Sequence, residues 1–127
     1  MENNQKPTFG PYSPVRQAGD FIFVSGQVGI DPITKTASAD TAKQVEQALV
    51  NLKNVLVSVG SSLNDIVKTT VFITDGDDFD TVNQVYVGFF GDPKPARSTV
   101  CVKELPRVAG NTPVKVEIEA IALAART

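Results

Sequence analysis

"TAKQVEQALVNLKNVLVSVGSSLNDIVKTTVFITD", Thr41 to Asp75, changes its hydrophobic period in mid-course. In its first half Val45, Ala48, Leu49, Leu52, Val55, Leu56 and Val59 recur at steps of three and four, which stacks them on one face of an α-helix. Thr41 with Gln44 has the form of a capping box, and Gly60 is a helix-stopping residue, so one long amphipathic helix is expected between them. From Asp65 the pattern alternates. Val67, Val71 and Ile73 are expected to face one way and Lys68, Thr70 and Thr74 the other, as on a β-strand.

Upstream, "SPVRQAGDFIFVSGQVG" reads as two short strands about a Gly19-Asp20 turn, with Phe21, Phe23 and Ser25 on one face and Ser25-Gly26 ending the apolar run. Downstream, Asp77 or Asp78 can cap a second helix striped by Phe79, Val82, Val85, Tyr86 and Phe89 and ended by Gly91 and Pro93. Two last strands, in "ARSTVCVKEL" and "VKVEIEAIAL", are joined by "PRVAGNTP". The order strand, strand, helix, strand, helix, strand, strand implies an α+β fold, an α/β sandwich of one mixed sheet with both long helices on one face. Two helices cannot shield both faces. The second face is then expected to pack against other copies in a cyclic oligomer.

The 127 residues are the size of one domain, and residues 1–127 are read as such. Twelve basic residues against fourteen acidic ones, net charge −2 and no block of like charge, argue against a nucleic-acid partner. The single cysteine, Cys101, excludes an internal disulfide and fits a reducing compartment. The start "MENNQKPTFG" has neither an apolar signal core nor an arginine-rich pattern, and no run is long enough to span a bilayer; a cytoplasmic protein without membrane attachment is expected. With no histidine and one thiol, a histidine triad is excluded and the usual ligands of zinc, copper or iron are missing. Chemistry, if present, must use arginine, carboxylates, hydroxyls and backbone.

Arg97 opens an apolar run, with Thr99 and Cys101 on its face, and Glu117 and Glu119 share a face of the last strand. If the two strands are antiparallel neighbours, Arg97 and the carboxylates line one cleft. The plainer reading is an ion pair worth under about 1 kcal/mol when exposed. Tyr12 can equally be a turn aromatic, Asn83 a solvent-facing helix residue, and Cys101 a small buried hydrophobe that nothing in the sequence activates.

These signals fall together in one known pattern. "GPYSPVRQAGDFIFVSGQVGIDPITK", "QVEQALVNLKNVLVSVGSSLNDIVKTTVFITD", "DFDTVNQVYVGFFGDPKPARSTV" and "VKVEIEAIA" resemble, nearly end to end, the RidA/YjgF family of reactive-intermediate (enamine/imine) deaminases. The resemblance implies a chorismate-mutase-like fold and a homotrimer whose second sheet faces pack into a central barrel, with a cleft at each subunit interface. It implies hydrolysis of 2-aminoacrylate-type intermediates, a 2-iminobutanoate/2-iminopropanoate deaminase activity, on a small 2-imino or 2-enamino acid without metal or cofactor. By the same resemblance Arg97 of "PARS" would clamp the substrate carboxylate and Glu117 of "EIEA" would hold or activate water. Tyr12, Ser25, Gly26 and Asn83 would line the cleft, with Thr99 where many relatives carry cysteine. The link containing "RVAGNTP" is longer than in compact relatives and lies beside the implied site. Competing readings are a non-catalytic trimer that binds small carboxylates, a chaperone-like regulator, and an endoribonuclease, the last disfavoured by the charge balance.

Overall fold

The chain first doubles back at Gly19, whose φ of 59° lies in the left-handed region that a tight hairpin requires. In the computed structural model, which describes residues 8–125, β1 (Val15–Ala18) and β2 (Phe21–Val28) flank that turn. They are followed by α1 (Thr41–Ser58), β3 (Ile66–Ile73), α2 (Phe79–Tyr86), β4 (Ala96–Cys101) and β5 (Val116–Leu123). One five-stranded sheet runs β1-β2-β5-β3-β4. Every neighbouring pair is antiparallel except β3 and β4, so the sheet is mixed, as the element order implied. Leu49, Leu52 and Leu56 of α1, Val82 and Tyr86 of α2, and Ile22, Val71 and Ile118 of the sheet bury one another in a common core. Both helices therefore sit on one face. The opposite face carries Phe21, Phe23, Val100 and Leu123, each between 41% and 46% exposed. Among the described residues no helix is long and apolar enough to cross a membrane.

Local details depart from the expected pattern. Asp40, not Thr41, caps α1: its side chain accepts from the Lys43 N–H at 3.0 Å. Gln44, assigned to a capping box by its spacing, is fully buried. Its amide donates to the carbonyls of Ser38 and Pro113 at 2.8 and 2.9 Å, and its Oε1 accepts the Lys115 N–H at 2.8 Å, fastening the approach to β5 onto α1. Neither Asp77 nor Asp78 caps α2 through its side chain; Asp75 instead caps the 3-10 turn ahead of it. The second helix is only eight residues long. Val59 lies beyond the last turn of α1 and is 36% exposed. Val67 is 40% exposed because β3 slips register against β5 between Ile66 and Lys68, which puts Ile66 in the core in its place.

Replacing Gln44 with leucine keeps much of the volume but strands one backbone N–H and two carbonyls. At roughly 1–3 kcal/mol for each buried group left unpaired, offset by relaxation, a loss of about 3 kcal/mol is expected. Urea unfolding of Gln44→Leu at fixed protein concentration measures it.

Candidate active site

Arg97 stands near the start of β4, the edge strand, directly across from Thr69 of β3. Partners across a ladder share a face, so its side chain rises on the helix-covered side, where α2 passes. There its Nη2 donates to Asn83 Oδ1 at 2.7 Å. The guanidinium carbon lies 4.8 Å from the centroid of the Tyr86 ring and 5.7 Å from that of Phe79. The ion pairs among the described residues are Lys94–Asp92 and Arg107–Glu104, so no carboxylate neutralises Arg97. A half-buried guanidinium stacked on aromatics, with one N–H spent on an amide, keeps most of its planar fork available to a carboxylate. Thr99 is on the same face, and its Oγ1 is buried without a hydrogen-bond partner among the described residues. Cys101, expected to be buried, is exposed, because β4 is the last strand of the sheet.

Glu117 belongs to a second group. Ser25-Gly26 does not end β2 but forms a bulge: three steps of β2, Val24 to Gln27, span two of β5, Ala120 to Ile118. Gly26 lies so close to the Glu117 carboxylate that any Cβ there would overlap it. Burial pushes the Glu117 carboxyl above the usual carboxylate range, and the nearby charge of Glu119 adds to that. Ser25 Oγ donates to the Ser13 carbonyl at 2.6 Å and its N–H to the Pro14 carbonyl at 3.0 Å, fixing the segment that carries Tyr12 against the bulge. Tyr12 is 48% exposed and, with Gly26, Val28 and Asn51, lines a cleft of about 310 Å³.

Within one chain the two groups do not meet. Arg97 is level with Thr69 of β3, and Glu117 with Phe72. Thr69 and Phe72 are an odd number of residues apart, so the arginine and the glutamate project from opposite faces of the sheet. They are separated by roughly 10 Å across it and 10 Å along it. The expectation that β4 and β5 are antiparallel neighbours is thus overturned: β3 lies between them. The cause is the α2 crossover, which lays β4 parallel to β3 on its free side. The chain then returns through the segment between β4 and β5, so that β5 enters between β2 and β3, antiparallel to both. Arg97, Asn83 and Thr99 form one group; Gly26 lies against Glu117, and Ser25 ties the segment after Tyr12 to the same bulge, while the cleft that Tyr12 and Gly26 line does not include Glu117. Sequence reasoning placed Tyr86 and Phe79 only in an apolar stripe; their arrival beneath Arg97 depends on the parallel register.

The model of the family described as Endoribonuclease L-PSP matches residues 3–124. A RutC family protein of Pyrococcus horikoshii is 46% identical over 95% of this chain and 92% of its own length. The 2-iminobutanoate/2-iminopropanoate deaminase of Escherichia coli K12 is 43% identical over 94% and 92%. Among solved structures, Escherichia coli TdcF with bound serine superposes with a TM-score of 0.85 at 40% identity, covering 98% of each chain.

Proposed function

Because this chain belongs to the Endoribonuclease L-PSP family, known also as RutC, RidA and YjgF, we propose that it hydrolyses small 2-imino acids to 2-keto acids and ammonia. One observation carries the reading: Arg97 offers a guanidinium fork, held by Asn83 and flanked by two aromatic rings, with no carboxylate on it among the described residues. Such a fork binds a small carboxylate through two parallel hydrogen bonds. The deaminase name of one relative and the serine bound by another support a short amino-acid-like ligand.

The chemistry needs little more than placement. Water adds to the electrophilic imine carbon and passes a proton to nitrogen, the carbinolamine expels ammonia, and the keto acid remains. Glu117, its pKa raised by burial, is suited to hold that water and exchange protons with it. Asn83 and Thr99 would flank the carboxylate; Tyr12, Ser25 and Gly26 would shape the other wall.

For Arg97 and Glu117 to act on one substrate, a second copy must bring its Glu117 face to this Arg97. A homotrimer with its apolar sheet faces packed inward supplies that contact, and Phe21, Phe23, Val100 and Leu123 are the residues it would cover. Light scattering at micromolar concentration is expected to give three times the chain mass. The separation of the two groups within one chain also favours, as a second reading, a carboxylate-binding protein without turnover. A coupled assay distinguishes them: with a dehydratase generating 2-aminoacrylate, pyruvate is expected to appear faster when the protein is added. An unchanged rate alongside pyruvate binding would establish the binding protein instead.

Glu117→Gln supplies a further test. A carboxyl whose pKa is raised on folding binds more protons folded than unfolded, so its contribution is favourable at low pH and is lost as pH rises through that raised value. The glutamine variant is expected to melt higher than wild type near about pH 7, with the gain vanishing below about pH 4. Its turnover should fall roughly 10²–10⁴-fold, since an amide positions water but accepts protons poorly.

A further inference from the structure

Tyr86 is only 5% exposed, and nothing in the proposed reaction employs it. Yet its ring is the nearer of the two aromatic surfaces to the Arg97 guanidinium, at 4.8 Å. Its phenol shares a 2.8 Å hydrogen bond with Thr69 Oγ1, and Thr69 is fully buried. Thr69 is also the residue across the ladder from Arg97. One threonine therefore fixes the arginine through the backbone and, through its side chain, the ring on which the arginine lies. Phe90 packs on Tyr86 with ring centroids 4.5 Å apart, and Asn83, one turn back along α2, takes an N–H of the guanidinium.

We propose that Tyr86, locked by Thr69, is a positioning residue for Arg97: its ring fixes the plane of the guanidinium and shields one face from water, leaving the fork aimed at a small carboxylate. The inference rests on the reading of Arg97 as a clamp. Burial raises the phenol pKa, partly opposed by Thr69 and Arg97, so the ring stays neutral and keeps the π-face that attracts a cation. Thr69 and Tyr86 could serve packing alone, but packing does not require a buried hydroxyl pair beside a half-buried guanidinium that no carboxylate neutralises among the described residues.

The test measures pyruvate affinity by calorimetry, together with kcat and KM, for Tyr86→Leu, Tyr86→Phe and Thr69→Val, alone and in an Arg97→Lys background. Tyr86→Leu is expected to weaken pyruvate binding and lower kcat/KM by roughly tenfold. Tyr86→Phe and Thr69→Val, which keep the shape but release the lock, should each cost roughly two- to fivefold. In the Arg97→Lys background, where no planar cation remains to be aligned, these losses should shrink to nothing. A purely structural role would lower the melting temperature and leave affinity unchanged, and that result would overturn the inference. So would losses of the same size in the lysine background. Should Tyr86→Leu fail to fold, the two near-isosteric variants decide. If Arg97→Ala itself binds pyruvate like wild type, the clamp falls and this inference with it; if Arg97→Ala loses binding while the Tyr86 and Thr69 variants keep it, this inference alone falls.

Discussion

Arg97→Ala is expected to abolish detectable turnover, a fall of roughly a thousandfold or more, while leaving the fold and assembly in place. The size follows from what the guanidinium supplies. Bidentate pairing with a carboxylate fixes both position and plane, and orientation of a substrate against attacking water can contribute several kcal/mol to the barrier. Little stability is at stake in return: Arg97 forms no ion pair among the described residues, and removing it frees only the Asn83 amide and two aromatic faces. Arg97→Lys preserves the charge but replaces a stacked planar fork by a strongly hydrated point donor. It should fold and assemble normally and lose about ten- to a hundredfold, mostly as a rise in KM. Melting temperature, pyruvate affinity and steady-state rates of both variants give the answer together. An arginine that served only structure would show the opposite ordering, with a lower melting temperature and a nearly unchanged rate.

How far the sequence carries this picture depends on the range over which each signal acts. The α1 stripe and the alternation of β3 are local patterns: they predicted a helix from Thr41 to Gly60 and a strand within Asp65–Asp75, and the structure has them at Thr41–Ser58 and Ile66–Ile73. The facing of Arg97 with Thr99, and of Glu117 with Glu119, is local too, since it needs only a period of two. What escaped was set by pairing between distant segments. Gln44 looks like a capping residue by its spacing and becomes a buried staple only because Lys115 and Pro113 arrive beside it. Ser25-Gly26 looks like a strand end and is a bulge only because Glu117 lies across it. Strand order is the strongest case. "PRVAGNTP" reads as a link between neighbours, yet the parallel α2 crossover sends β4 to the edge and leaves β5 a place on the far side of β3. Arg97 and Glu117 were visible in the sequence as candidates, but their division between two faces, and the arrival of Phe79, Tyr86 and Thr69 beside Arg97, were not.

That division predicts a gain of activity from two inactive proteins. Arg97→Ala destroys the group that holds the carboxylate and leaves the Glu117 face whole; Glu117→Gln does the reverse. If each working site takes Arg97 from one copy and Glu117 from the next in a closed ring, a mixed ring contains sites at which an intact Arg97 meets an intact Glu117. With equal amounts of the two variants and random exchange, each half of a site is wild type with even odds, so about a quarter of the wild-type activity should return. Refolding the two variants together, or producing them in one cell, allows the exchange, and native mass spectrometry reports the mixed rings. Each variant refolded alone is the control and should stay inactive. A site completed within one copy could never be repaired in this way, because every chain in the mixture carries one defect. Because the two residues do not meet within one chain, mixed rings without recovered activity would therefore remove Arg97 or Glu117 from the working site. Recovery near a quarter would show that the two faces separated by this sheet are rejoined between chains.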